Sequence, residues 1–233
     1  MRFDAFTRWV ALISMLAGLM WTYQYTINAK GVCYSQPKGS TSKDIAHLLV
    51  DDLMLTFTEP LNELFLSNES IANMLQALSS AVIDVTLIWL TVTASLLRLT
   101  AQPLLSVFIL MSLRYIAQWI AVFPCPEGYI WPPGKIFGWH VPSLFVDYHP
   151  ANDFFFSGHA GVLCVAGIEY LTERQYLAAA LHLCITLPYV SVLVVSFRVH
   201  RGIDIYTAIL AAIASCHLSA KISPSVDRFL NGK

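Results

Sequence analysis

The feature that most constrains this chain is a recurrence of apolar stretches near the roughly 20 residues that a helix needs to cross a bilayer. They fall at about 8–27, 71–97, 103–123, 154–171, 176–195 and 204–219. Composition agrees. The 233 residues are 56% hydrophobic and only 12% charged, where a soluble domain is about a quarter charged. So little charge cannot solvate a globule, whereas lipid requires none. The expected fold is all-α: a polytopic membrane protein, a six-transmembrane-helix bundle forming one membrane domain over 1–233. The net charge of −1 argues against nucleic acid as a partner, because phosphate backbones recruit a basic excess.

The first stretch is too long for a signal-peptide core and lacks a convincing cleavage site. Tyr23 and Tyr25 near its end suit an interfacial belt. A polar segment follows, with Asp44, Asp51, Asp52, Glu59, Glu63 and Glu69. Within it, 45–65 has apolar residues at mixed helical spacing and reads as an amphipathic helix lying on the membrane. After the third stretch, Phe123-Pro-Cys-Pro-Glu-Gly-Tyr-Ile-Trp-Pro-Pro-Gly134 is loop chemistry, since Pro removes donors and Gly permits turns. The irregular character continues to about Asn152.

With six spans, the loops after the first, third and fifth share one face. That face receives Ser157-Gly-His159 and the turn Arg198-Val-His-Arg201. Lys and Arg are nearly balanced between the two faces; setting Arg198 and Arg201 aside, the positive-inside rule puts both termini in the cytosol or its equivalent. The site then faces the lumen or exterior. Asn68-Glu-Ser70 on that face is a glycosylation sequon. Cys33 and Cys125 fall in loops on the same side, where an oxidising lumen would permit a disulfide. Cys164, Cys184 and Cys216 lie in apolar runs and read as small core residues.

Ionisable residues within spans are expensive and are functional candidates by default. His159 opens the fourth stretch, and His200 and Asp204 open the sixth, four residues apart and so one helical turn. A carboxylate there accepts one imidazole N–H and raises the basicity of the other nitrogen. Such a histidine can attack phosphorus, and a second can protonate the departing oxygen. His182 and His217, mid-span or toward the other face, read as hydrogen-bonded packing. Asp84 within the second stretch either lines a cavity or pairs with a neighbouring helix. Asp147, His140 and His149 read as solvated loop residues, with a role in shaping a polar pocket as the alternative, and Trp131 and Trp139 as interfacial anchors or as aromatic faces for a cationic group.

Together these motifs resemble a family. Asp153-Phe-Phe-Phe-Ser-Gly-His159 is similar to the aspartate–aromatic–Ser-Gly-His motif of the sphingomyelin synthase group. That group, with the phosphatidylcholine:diacylglycerol cholinephosphotransferases, is a lipid-transferase branch of the type 2 phosphatidic acid phosphatase (PAP2) superfamily. His200-Arg-Gly-Ile-Asp204 resembles its His-Tyr-Thr-x-Asp motif, with Arg201-Gly202 in place of Tyr-Thr. Arg114-Tyr-Ile-Ala-Gln-Trp-Ile-Ala-Val-Phe-Pro124 resembles the arginine-to-proline segment ending the group's third span. The likeness extends over Leu53 to Leu97.

The resemblance implies a PAP2-like bundle and a phosphohistidine-type double displacement of a phosphocholine-type headgroup between glycerolipids. His200 is then the nucleophile, Asp204 its orienting carboxylate, and His159 the acid and base. Arg114 and Arg198 would neutralise phosphate oxygens through their guanidinium forks. Ser157 and Gly158, opening a helix, would add donors to the same anion. No cofactor or metal is expected. The expected partners are membrane lipids, phosphatidylcholine and diacylglycerol, with membrane-complex subunits or a second copy open. The endoplasmic reticulum or Golgi membrane is the expected location, with mitochondria or another organelle inner membrane as the alternative. Two other functions stand beside this one: a lipid phosphate phosphatase, and a non-catalytic structural or lipid-binding subunit that has kept the fold.

Overall fold

The structure is a computed structural model, and it describes residues 3–28, 52–120, 130, 143 and 156–232. Cys33, Cys125, Trp131, Trp139, His140, Asp147, His149 and Asp153 lie outside the described residues, so the disulfide and loop expectations are outside them too.

All regular structure among the described residues is helical. The order is α1 (Phe3–Asn28), α2 (Leu53–Phe57), α3 (Glu59–Ser67), α4 (Glu69–Arg98), α5 (Gln102–Ile120), α6 (Gly158–Thr172), α7 (Tyr176–Ser196) and α8 (Gly202–Asn231). Four of these, α4, α5, α7 and α8, are long and apolar enough to cross a membrane. Helices suit that setting because every mid-segment backbone group is bonded within the segment.

The side chains follow the inside-out pattern that lipid imposes. On α4, Met74, Leu78, Val85, Ile88 and Trp89 are exposed, while Asn73, Gln76, Ser79, Ser80 and Thr86 are buried. Leu97, Trp119, Ile120, Leu177, Ile185 and Phe229 add to an outer surface that is apolar over several helices. Water tolerates no such continuous patch on a monomeric soluble protein.

The expected spans meet the structure unevenly. The second, third and fifth agree closely with α4, α5 and α7 over their described residues. The fourth does not begin at 154 as a lipid-length helix. As α6 it starts at Gly158 and has 15 residues, about 22 Å at 1.5 Å per residue, short of the ~30 Å hydrocarbon core. It can be short because it is the interior of the bundle. Leu163, Val165 and Ala166 are fully enclosed, in one cluster with residues of α4, α5, α7 and α8. The sixth runs well past 219, to Asn231, and carries Pro224 inside the helix. The expected interfacial helix 45–65 is, over its described part, two short helices broken at the fully buried Thr58, with Pro at the start of α3.

Polar contacts define the two ends of the bundle. At one end, Asp227 of α8 accepts from Thr100 Oγ1 (2.9 Å) and from the Ala101 amide (2.6 Å) just before α5. Asn231 donates to Leu99 C=O, Arg8 to Phe229 C=O, and Arg98 pairs with Glu173. The start of α5 and the ends of α4, α6 and α8 therefore meet there. The starts of α4, α6 and α8 and the ends of α5 and α7 lie at the other end.

Close packing around α6 depends on its small residues. A Cβ on Gly167 would overlap both Cγ and Cδ2 of Leu183 on α7. Gly167→Val should therefore separate α6 from α7 and cost about 1–3 kcal/mol, the usual range for overpacking. A lowered midpoint of thermal aggregation in detergent would show it, and an unchanged midpoint would mean that Leu183 swings aside.

Candidate active site

The two histidine motifs meet at the second end of the bundle. Ser157 caps α6, its Oγ accepting from the Ala160 amide at 3.3 Å, a bond that satisfies one of the orphan donors of the first turn. Its own amide donates to the carbonyl of Asp204 at 3.3 Å. The start of α6 is thereby joined to the first turn of α8. His159, half-buried in that first turn of α6, is close enough to both His200 and Arg114 to respond to their charge.

His200 is delivered by an unusual helix end. Phe197 closes α7, and Arg198 follows in the left-handed conformation at φ 57°. The Arg198 amide donates to Val195 C=O and the Val199 amide to Val194 C=O, the paired bonds of a Schellman motif. Glycine ordinarily occupies that position, because a side chain there costs on the order of 1 kcal/mol. The turn brings the His200 amide back to Val194 C=O at 3.3 Å and buries the ring completely.

Asp204 faces that ring. Its Oδ2 lies 3.5 Å from His200 Nδ1 and accepts the Arg201 amide at 2.8 Å. The amide bond orients the carboxylate, and the helix N-terminus favours its charge. Both ring nitrogens of His200 and Asp204 Oδ1 are buried without a hydrogen-bond partner. Native proteins rarely leave such groups unmatched, and they gather at functional sites.

The two arginines divide. Arg114, buried on α5, donates from Nε to Phe156 C=O at 3.3 Å, and that nitrogen lies 3.2 Å from where a Cβ on Gly158 would stand. Its guanidinium stem thus packs directly on the opening of α6, beside His159. Arg198 points elsewhere. Its Nη1 donates to Leu55 C=O at 2.8 Å and to Thr58 Oγ1 at 3.3 Å, and Nη2 pairs with Glu59. The structure thus brings together His159, His200, Asp204, Arg114, Ser157 and Gly158, and uses Arg198 to fasten the α2–α3 break.

Comparison of the chain with protein-family models, with curated proteins and with solved structures found no match.

Three features went unread in the sequence. Asp52 caps α2 through the Met54 amide (2.9 Å) and also accepts the Gly202 amide (2.6 Å), pinning α2 to the start of α8. Its position immediately before a short apolar run was the available signal. Glu169, 1% exposed, accepts from Ser106 Oγ (3.2 Å) and Gln102 Nε2 (3.3 Å) near the far end of the bundle. A carboxylate in the apolar run of the fourth stretch signalled it. The buried polar face of α4 is the third. By contrast His182, with Nδ1 3.1 Å from Ala178 C=O and its ring 4.9 Å from Tyr170, has the packing role expected of it.

Gly202, which replaces a larger residue of the resembled motif, has a steric reason to be glycine. A Cβ there would stand 2.9 Å from Asp52 Oδ1 and from Met54 Cγ. Gly202→Ala should push α2 from α8 at a cost of about 1–3 kcal/mol. Limited proteolysis of the purified protein would then cut within 52–67 faster than in the wild type; equal rates would show that α2 adapts without leaving.

Proposed function

We propose that the chain is a lipid phosphotransferase that moves a phosphocholine-type headgroup between glycerolipids through a phosphohistidine intermediate. One observation carries the reading: a fully buried histidine has a carboxylate at one ring nitrogen, and a second histidine and an arginine gather at the adjoining helix start. The motif resemblance to the sphingomyelin synthase branch of the PAP2 superfamily, and the six-span bundle it implies, supply the reaction class. A phosphatidylcholine donor and a diacylglycerol acceptor follow from that resemblance.

In this reading Asp204 accepts the Nδ1–H of His200, leaving the Nε2 lone pair to attack phosphorus. The bond from phosphorus to the diacylglycerol oxygen breaks, and His159 donates the proton that the departing oxygen takes. In the second half the acceptor hydroxyl returns a proton to His159 and attacks phosphorus, and the N–P bond breaks back to neutral imidazole. Arg114 balances the charge on the non-bridging oxygens. Lipid is the natural source of such a substrate, because the starts of α6 and α8 stand in a bundle whose outer surface is apolar. Endoplasmic reticulum or Golgi is the proposed compartment, the site facing the lumen.

The test uses the full chain in nanodiscs, with headgroup-labelled phosphatidylcholine and a diacylglycerol of distinct acyl mass. Transfer of label to the new diacylglycerol is expected, together with an acid-labile labelled enzyme after a quench. His200→Ala should abolish both. Asp204→Asn, which leaves the volume intact, should lower kcat by about 10²–10⁴ by analogy with other His–Asp pairs. Release of the labelled group into water instead of to lipid would replace transfer by hydrolysis. A folded wild type that neither turns over nor becomes labelled would leave the non-catalytic subunit as the reading.

A further inference from the structure

The inner face of α4 carries polar groups that helix packing alone does not require. Asn73, Gln76 and Ser80 recur at i, i+3 and i+7, one side of a helix. They are 7%, 3% and 2% exposed, and Asn73 Oδ1, Gln76 Nε2 and Ser80 Oγ have no hydrogen-bond partner. Ser191 Oγ on α7, in a residue 5% exposed, is equally unmatched. Each unmatched polar group costs about 1–3 kcal/mol, and leucine or alanine would fill these places without that penalty. A buried site lined by such groups takes up water or a polar ligand.

The stripe begins at the level of the turn that carries His200. Ala72, adjacent to Asn73, packs in one cluster with Leu193, Phe197 and Val199. Between those residues lies Val194, whose carbonyl holds the His200 amide. From there the stripe descends through Ser80 to the half-buried Asp84, about 16 Å along the helix.

Its chemistry differs from that of the histidine site. The unmatched set comprises an amide acceptor, an amide donor and two hydroxyls, and α4 carries no Lys or Arg before Arg98. An anionic phosphate finds no counter-charge on α4 itself before Arg98 and meets the carboxylate of Asp84. A neutral group that both donates and accepts is matched: a free hydroxyl can give its proton to Asn73 Oδ1, and an ester carbonyl can accept from Gln76 Nε2. Ile83, Leu87 and Leu90 continue the same face into the packed core.

We propose that this stripe, with Ser191, is the binding site for the glycerol end of a neutral lipid alcohol, the acceptor in headgroup transfer. Its place in the reaction rests on the function proposed above; the binding itself does not. The bound hydroxyl is the one that yields its proton to His159 and attacks the phosphorus carried by His200.

The experiment uses the full chain in nanodiscs with a diacylglycerol bearing a photoactivatable diazirine close to the glycerol. Labelling should map to the peptide containing 73–80 and be displaced by unlabelled diacylglycerol. Gln76→Leu should weaken labelling and raise the KM for diacylglycerol about fivefold, the value of one neutral hydrogen bond. Ser80→Ala and Ser191→Ala, which remove one oxygen each, test the same point with less risk to folding. Met74→Ala on the lipid-facing side should label as the wild type does. Labelling that avoids α4, or that none of the three variants changes, overturns the proposal and leaves a hydrated seam. Displaceable labelling of α4 in a protein that forms no phosphohistidine keeps the binding site and removes the transfer reaction; a phosphohistidine with α4 unlabelled does the reverse.

Discussion

The hydrogen bond from the Ser157 amide to the Asp204 carbonyl joins two helix starts that are far apart in sequence, and most of the site depends on it. An amide before α6 would otherwise lack a partner inside an apolar bundle, where water is scarce and the cost of leaving it unmatched is high. Satisfying it from the first turn of α8 sets the separation of the two helices. His159 follows on one side of the bond. His200 and the Asp204 carboxylate lie on the other. Glycine at 158 lets Arg114 approach this junction, so a cation, two imidazoles and a carboxylate share one end of the bundle.

A second set of contacts holds the turn that carries His200. Arg198 takes a left-handed backbone conformation that glycine would adopt at no cost, yet glycine could not reach Leu55, Thr58 and Glu59. The strain is on the order of 1 kcal/mol, whereas each charged hydrogen bond contributes about 1.5–3 kcal/mol. The clamp outweighs the strain. Asp52 repeats the logic from the other side, bonding the Gly202 amide at the start of α8. The short helices α2 and α3 thus act as a brace across the gap between α7 and α8, and Asn62 extends it by donating to Ser196 C=O at 2.8 Å.

Hydropathy made the long helices legible, because lipid demands apolar residues wherever a side chain faces it. The shared end of His159 and His200 follows from the alternating direction of successive helices, whichever of them cross a membrane. The brace was not legible: Arg198 reads as a phosphate ligand until Leu55, more than a hundred residues away, is seen to accept its proton. Nor did an amphipathic pattern over 45–65 reveal a break at Thr58, whose amide and hydroxyl both turn back to Met54 C=O. The last turns of α8 were hidden for a related reason. Lys221, Ser223, Pro224, Asp227 and Arg228 look like a tail, but Asp227 is held in place by caps on the start of α5. The α4 stripe was missed because a window of apolar residues averages over faces, and only the inward one carries the amides.

The rigidity of the brace and the unmatched state of His200 are two aspects of one arrangement. A surface histidine with an unsatisfied ring nitrogen would rotate toward water or a neighbouring carbonyl. Here the amide of His200 is bonded to Val194, Arg198 two residues before is clamped to α2 and α3, and the following turn is pinned by Asp52 and Asp204. The ring is held where its nearest polar neighbour on the Nδ1 side is a carboxylate, 3.5 Å away. At that separation the carboxylate interacts strongly only once the ring carries positive charge or shortens the gap to a hydrogen bond. In the reaction proposed above, a bond to phosphorus at the far nitrogen would do the first of these, because it would raise the positive charge on the ring. In the proposed reaction, an unmatched ring facing a fixed carboxylate would be poorly stabilised when neutral and better stabilised once phosphorylated, and that difference would favour the covalent intermediate.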